Sequence, residues 1–310
     1  MFEYFLKRVL NSIPTVLAVV IVVFSLIHIA PGDPVDILVG ENATPVVKKQ
    51  IEREYGLDKP IHVQAFLFFK NLIVNGGGES IYFKKPCFKV VFSRFKNTFK
   101  LAMFSFVIAV FFSFVFAFIL LWRKGGVFYR MIVFLSTIGM SLPSFWLGIL
   151  LILFFSVKLK LLPVSGTEGF RHIILPSLTL AIPMGCYLLH IIRGEIESQM
   201  SKRFVLSLRT RGIKESLIFF RHVLKNSLVP VIMVLALQLG FLLTGAIITE
   251  TIFSFNGIGL LLVTAINVRD YSLVQSLAIF IAVIYIYSNI LGDVLIAVID
   301  RRVSFEKKDI

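Results

Sequence analysis

Residues 101–122, LAMFSFVIAVFFSFVFAFILLW, carry no charged side chain. At about 1.5 Å per residue such a run matches a hydrocarbon core of about 30 Å, and within lipid only a helix or a closed barrel satisfies every backbone N–H and C=O. Five further apolar runs follow the same logic, at 9–30, 131–157, 173–192, 227–249 and 271–299. Composition agrees: 57% of residues are hydrophobic and 16% charged, where a soluble domain has about 45–50% and 25%. The expected fold class is an all-α integral membrane protein with six transmembrane helices and an external subdomain between the first two.

Charge fixes the expected orientation. Lys7 and Arg8 precede the first run, and Arg123, Lys124 and Arg130 lie between the second and third. The positive-inside rule therefore places both termini in the cytoplasm. The first run exceeds the roughly 7–15 residues of a signal-peptide core and no small-x-small cleavage site follows it, so it reads as a retained helix. His28 lies near its outer end, at headgroup level. The net charge of +14 sits in loops beside apolar runs, where it orients helices; it does not point to nucleic acid. The cysteines Cys87 and Cys186 stand in unlike contexts and suggest neither a disulfide framework nor a metal site.

Domain boundaries follow the hydropathy: 1–30 a transmembrane helix, 31–100 an external subdomain, 101–300 a core of five helices and 301–310 a cytoplasmic tail. The external segment opens on the turn PGDP at 31–34, has a helical pattern over 46–55 and breaks at Gly76, Gly77 and Gly78. Its ten Lys/Arg before Lys100 contravene the positive-inside rule, which is weak for loops of this length. Lys158 and Lys160 are expected outside as well, snorkelling from a helix end. Pro143, in SLPSFW at 141–146, should kink the third span.

The longest basic segment between two apolar runs is 193–230, RGEIESQMSKRFVLSLRTRGIKESLIFFRHVLKNSLVP, with eight Lys/Arg against three Glu. It reads as two short cytoplasmic helices over 193–226 broken at Gly212. Phe204, Leu208, Ile213, Leu217, Phe220 and Leu224 fall at the spacing of one helical face, which a partner surface could take.

Among polar groups in the spans, Asp293 is either a functional carboxylate or one bonded to a neighbouring helix near the aqueous end. His190, within one turn of Arg193, reads as interfacial. Gln238 and Asn289 either line a polar pathway or hydrogen-bond between helices. Glu250 and Asp270 lie at external ends, where they could meet a cationic ligand group but read first as solvated positions. With those alternatives, Gln238, Asn289, Asp293 and Glu250 are the pathway candidates. The chain contains no GxxxxGK[ST], GxGxxG, HExxH or GxSxG, so no catalytic site is assigned and any ATP must be hydrolysed by another polypeptide.

Specific blocks carry a resemblance. The basic segment resembles the coupling motif of ATP-binding-cassette importer permeases at Ser207, Leu208, Arg209, Thr210 and Gly212, followed by His222, Asn226 and Pro230. PGDP, YGLDKP at 55–60, NTFKLA at 97–102, SLPSFWLG at 141–148, ETIFSFNGIG at 250–259, RDYSLVQ at 269–275 and ID-RR at 299–302 are similar to the B-type subunit of the dipeptide/oligopeptide/nickel permease family. The sequence departs from that pattern at Leu208, usually a small alanine, at Lys214, and at Asn256 and Ser272. The resemblance implies a type I ABC importer permease in a bacterial or archaeal cytoplasmic membrane. Implied partners are a second permease of C type, two ATPases that hold ATP and Mg, and an external substrate-binding protein. Coupling would run through Ser207, Leu208, Arg209, Thr210, Gly212, Ile213, Leu217, Phe220, His222, Asn226 and Pro230. Short peptides are the implied substrate, with nickel or a nickel chelate as the alternative within the family. A secondary transporter independent of ATP is the rival outside it, and would be expected to show inverted repeats and more embedded charge.

Overall fold

The computed structural model describes residues 2–29, 44–54, 58–122 and 125–299. The PGDP turn, the first half of YGLDKP, the loop residues Arg123 and Lys124 and the tail 301–310 lie outside them, as does the side chain of His28. Among the described residues the regular structure is helical, joined by short turns, with no strand beyond one isolated bridge between Glu79 and Pro86.

The first helix, α1 (Phe2–Ile29), is followed by two shorter ones, α2 (Pro45–Glu54) and α3 (Ile61–Val74). The core begins with α4 (Cys87–Trp122), then α5 (Gly126–Ser141) and α6 (Ser144–Leu151), the last running on in wide π-type turns through Ile152–Lys158. Next come α7 (Phe170–Met200), α8 (Arg203–Thr210) and α9 (Glu215–Leu217), and α9 continues through π turns at Ile218–Val223 into α10 (Leu224–Leu243). The chain closes with α11 (Ile247–Ile252), α12 (Ile258–Asn267) and α13 (Tyr271–Ile299). Five helical segments are long and apolar enough to cross a membrane, and six if the bent pair formed by α5 and α6 counts as one span.

Three expectations are modified. The break at Pro143 is no gentle kink: α5 and α6 with its π turns meet at 107°. Pro143 has no N–H and holds Leu142 extended, so α5 ends there and the chain restarts at Ser144. The first core helix begins at Cys87 and not at 101, and its 36 residues span about 54 Å, well beyond a bilayer core. Lysines on one face lower the hydropathy of residues 87–100 and disguise the buried stripe of Cys87, Val90, Val91 and Thr98 on the other. Helix α12 was unexpected; its apolar residues Ile258, Leu261 and Ala265 bury against Val91, Leu273 and Leu277 in one cluster.

Four hydrophobic clusters hold these elements together. One joins α4, α7 and α10 with Phe253 and Phe255. A second joins the opposite ends of α4 and α7 to α5, α8 and the π turns before α10. The third, around α12, ties the start of α4 to the start of α13. The fourth packs α1 and α3 on α13. At the triple glycine all three residues have positive φ, and Gly77 presses on α13 so closely that a Cβ would lie 2.5 Å from Ser276 Oγ. The Ser276 hydroxyl donates to the Gly77 carbonyl at 2.9 Å.

Candidate coupling loop and buried polar sites

The basic loop is built on a glycine turn. Helix α8 ends in a paired closure in which Gly212 N–H donates to Arg209 O at 3.0 Å and Ile213 N–H to Leu208 O at 3.3 Å. These are the two bonds of a Schellman cap, with Gly212 at φ +75° in the left-handed position that glycine adopts without strain. Such a cap places apolar side chains at the positions of Leu208 and Ile213. Both pack on the same inner cluster, which accounts for a large residue at 208. Across the turn, Arg209 Nε and Nη2 donate to Glu215 Oε1 and Oε2 at 2.6 and 3.1 Å. That bidentate clasp stiffens the corner and was not foreseen from spacing alone.

The expected single apolar face divides in two. Phe204, Leu208, Ile213 and Leu224 turn inward with buried Val205, Ile218 and Val223. Leu206, Leu217 and Phe220 remain 63%, 47% and 58% exposed beside exposed Ser207, Arg209, Thr210, Gly212 and Asn226. His222 and Pro230 are half-buried. Pro230 does not end the second helix; it lies inside α10, which runs on to Leu243.

The buried carboxylates correct the expectation of solvated positions. Glu250 and Asp270 are both fully buried. Glu250 accepts from Thr98 Oγ1 at 2.7 Å, Gly259 N at 2.8 Å and Leu260 N at 3.1 Å. Thr98 Oγ1 in turn accepts from Ile258 N at 2.9 Å. The carboxylate thus occupies the N-terminus of α12, where free amides and the helix dipole favour an anion. A Cβ on Gly257 would lie 2.4 Å from it, so the glycine makes room for the acid. Asp270 caps α13 through Leu273 N at 3.2 Å and reaches the segment before α4 through Ser80 Oγ and Tyr82 N. Asp270 stands three residues before Leu273 at a helix start, a capping signal legible in RDYS. Thr98 gives no comparable signal.

The other polar candidates are distributed along α10 and α13. Asp293 Oδ2 pairs with Arg8 Nη1 at 3.1 Å, joining α13 to α1, and both side chains are about one-third exposed. Gly292 approaches Ala236 and Gly240 approaches Ser288 along the seam between α10 and α13, whereas Gln238, half-buried and about 200° round α10 from Ala236, lies on the other face of that helix. Asn289 Oδ1 is buried and has no hydrogen-bond partner among the described residues. His190 is not left to solvent; its Nε2 contacts Ser136 Oγ at 2.9 Å and joins α7 to α5.

A bundle of five to six membrane-length helices, with a broken span and a stiffened basic loop, defines a polytopic membrane protein. The chain belongs to the family of inner membrane components of binding-protein-dependent transport systems: that family's model matches residues 109–305, and the N-terminal model of such membrane components matches residues 1–114. It is an ABC importer permease subunit. It is 35% identical over 307 residues to the glutathione transport system permease protein GsiC of Pectobacterium atrosepticum, covering 99% of this chain and 100% of the relative. It is 33% identical, with the same coverage, to GsiC of Escherichia coli strain K12. Among solved structures, the inward-facing MetNI methionine ABC transporter shares the fold, with a TM-score of 0.51 at 16% identity over 69% of this chain and 95% of that chain.

Proposed function

We propose that this permease forms half of the pathway of an importer for short peptides, glutathione-like tripeptides included, and receives the ATPase stroke through residues 203–226. The observation that carries the coupling role is the division of the loop's apolar residues. One set roots α8 in the helical core, while Leu206, Leu217 and Phe220 remain exposed around an Arg209–Glu215 clasp. An apolar knob on a stiff base transmits a displacement into α7 and α10, both of which adjoin the loop. Relatives named for glutathione transport support a peptide substrate; none of those reported carries a name that favours the nickel alternative.

In this arrangement a second permease, of C type, completes the pathway, two ATPase subunits hold ATP and Mg, and an external binding protein delivers the substrate. The permease itself binds no nucleotide. Its termini and the loop face the cytoplasm, and residues 31–86 with the start of α4 face outward. Gln238 and Asn289 are the remaining pathway candidates. Glu250 and Asp293 serve as structural links, since each is engaged by neighbouring elements.

Substrate-stimulated ATPase activity of the assembled importer in proteoliposomes tests the coupling role. Leu206→Ser with Phe220→Ser should leave the thermal midpoint unchanged and abolish most of the stimulation. Gly212→Asp buries no charge, because Gly212 is exposed, and acts through backbone strain and the altered docking surface. Full stimulation in the double serine variant overturns the coupling role.

A further inference from the structure

The overhanging end of α4 carries a line of cations that neither the fold nor the coupling role uses. Lys89, Lys96 and Lys100 are all exposed, and none has an acidic partner among the described residues. At about 100° per residue their i, i+7, i+11 spacing places them within about 40° of one another on a single helix face. Val107, at i+18, continues the same line and is 59% exposed, with Phe104 and Phe111 beside it at 41% and 61%. Phe92 and Phe99 flank the lysines and are 55% and 46% exposed. The opposite face of this overhang is packed, through Cys87, Val90 and Val91, against α12 and α13.

The lysine line is therefore the direct upward extension of an apolar outer face. The charge-free stretch ends at Lys100, so the hydrocarbon boundary falls between Lys100 and Phe104. Lys96 stands about 6 Å above Lys100 along the axis, within the headgroup layer of about 5–7 Å, and Lys89 about 16 Å above it. Aromatic rings beside lysines whose stems run over apolar surface are the signature of a membrane interface.

We propose that Lys96 and Lys100, with Phe99 beside them, bind the phosphate headgroup of an anionic phospholipid, and that Lys89 contributes weakly from farther out. Only the leaflet rests on the topology given above, the outer one when the termini are cytoplasmic. The height order separates this from an acidic protein docking from above, which would meet Lys89 first.

The probe is phosphatidylglycerol, measured against phosphatidylcholine as the lipid retained by the detergent-purified, assembled importer in native mass spectrometry. Lys100→Gln and Lys96→Gln should each lower phosphatidylglycerol retention about fivefold, the equivalent of about 1 kcal/mol per lysine near an anionic surface. Lys89→Gln should change it less than about twofold, and Lys100→Arg should retain it, which separates charge loss from misfolding. Unchanged retention in Lys96→Gln and Lys100→Gln, or a larger loss in Lys89→Gln than in either, overturns the proposal. Labelling of Ser93→Cys by an impermeant maleimide reports the leaflet separately. Labelling only from the cytoplasmic side would overturn the topology while leaving the lipid site in place.

Discussion

Thr98→Val is the sharpest perturbation of the junction between α4 and α12, because it keeps the shape of the side chain and removes two bonds at once. The hydroxyl donates to Glu250 Oε1 and accepts from Ile258 N, and Thr98 is 1% exposed. Loss of a bond to a charged acceptor is worth about 1.5–3 kcal/mol, and a buried amide left without a partner costs about 1–3 kcal/mol. Allowing for partial relaxation, the substitution should cost about 2–4 kcal/mol, which lowers the midpoint by roughly 4–8 °C for a chain of this size. Thermal unfolding followed by gel filtration of the detergent-solubilised protein measures it, with Thr98→Ser as the control that retains both bonds. Glu250→Gln disturbs the same set of contacts, so Thr98→Val should cost about 1 kcal/mol less in that background than in the wild type. A midpoint within about 1 °C of wild type, or strict additivity of the two substitutions, would refute the view that threonine and carboxylate act as one unit holding α12 to α4.

Gly77→Ala should lower the midpoint far more than Gly78→Ala, because both have positive φ but only at Gly77 would a Cβ meet Ser276 Oγ, at 2.5 Å. Equal shifts in the same thermal assay would remove the close approach as a cause. Asp293→Asn should cost at most about 0.5–1 kcal/mol, since its partner Arg8 and the carboxylate are each about one-third exposed. Peptide uptake in that variant should stay within about twofold of wild type; a tenfold loss would return Asp293 to the translocation pathway.

Much of the fold was legible because charge-free runs in lipid have few alternatives. The runs at 101–122 and 227–249 and the glycine at the loop corner required only length, charge and φ preference. What remained hidden depended on contacts between distant segments. The start of α4 was concealed because Lys89, Lys96 and Lys100 dilute the hydropathy of a helix whose other face is buried. Glu250 and Asp270 looked solvated because carboxylates at the ends of spans ordinarily are, and only folding brings Thr98 and Ser80 to them. The inward turn of Leu208 had a local cause, the Schellman cap. Periodicity alone could not divide its face from that of Leu206, since both faces carry leucine.

The corner at Pro143 constrains the surroundings of the chain as well as its own path. Where α5 stops, the last turn leaves carbonyls without intrahelical donors, and Ser141, Pro143, Phe145 and Trp146 are open on the surface of the single chain. Acyl chains have no proton to offer those oxygens, so hydrocarbon cannot wet this flank at tolerable cost. The circumference of the subunit is therefore unequal. Elsewhere lipid can solvate it, as along Val107 and Phe111, but at the corner water or another polypeptide must supply the missing donors. Wherever this corner meets hydrocarbon, a lone subunit would carry an unsolvated seam, one that water or a neighbouring polypeptide closes by hydrogen bonding and not by hydrophobic burial.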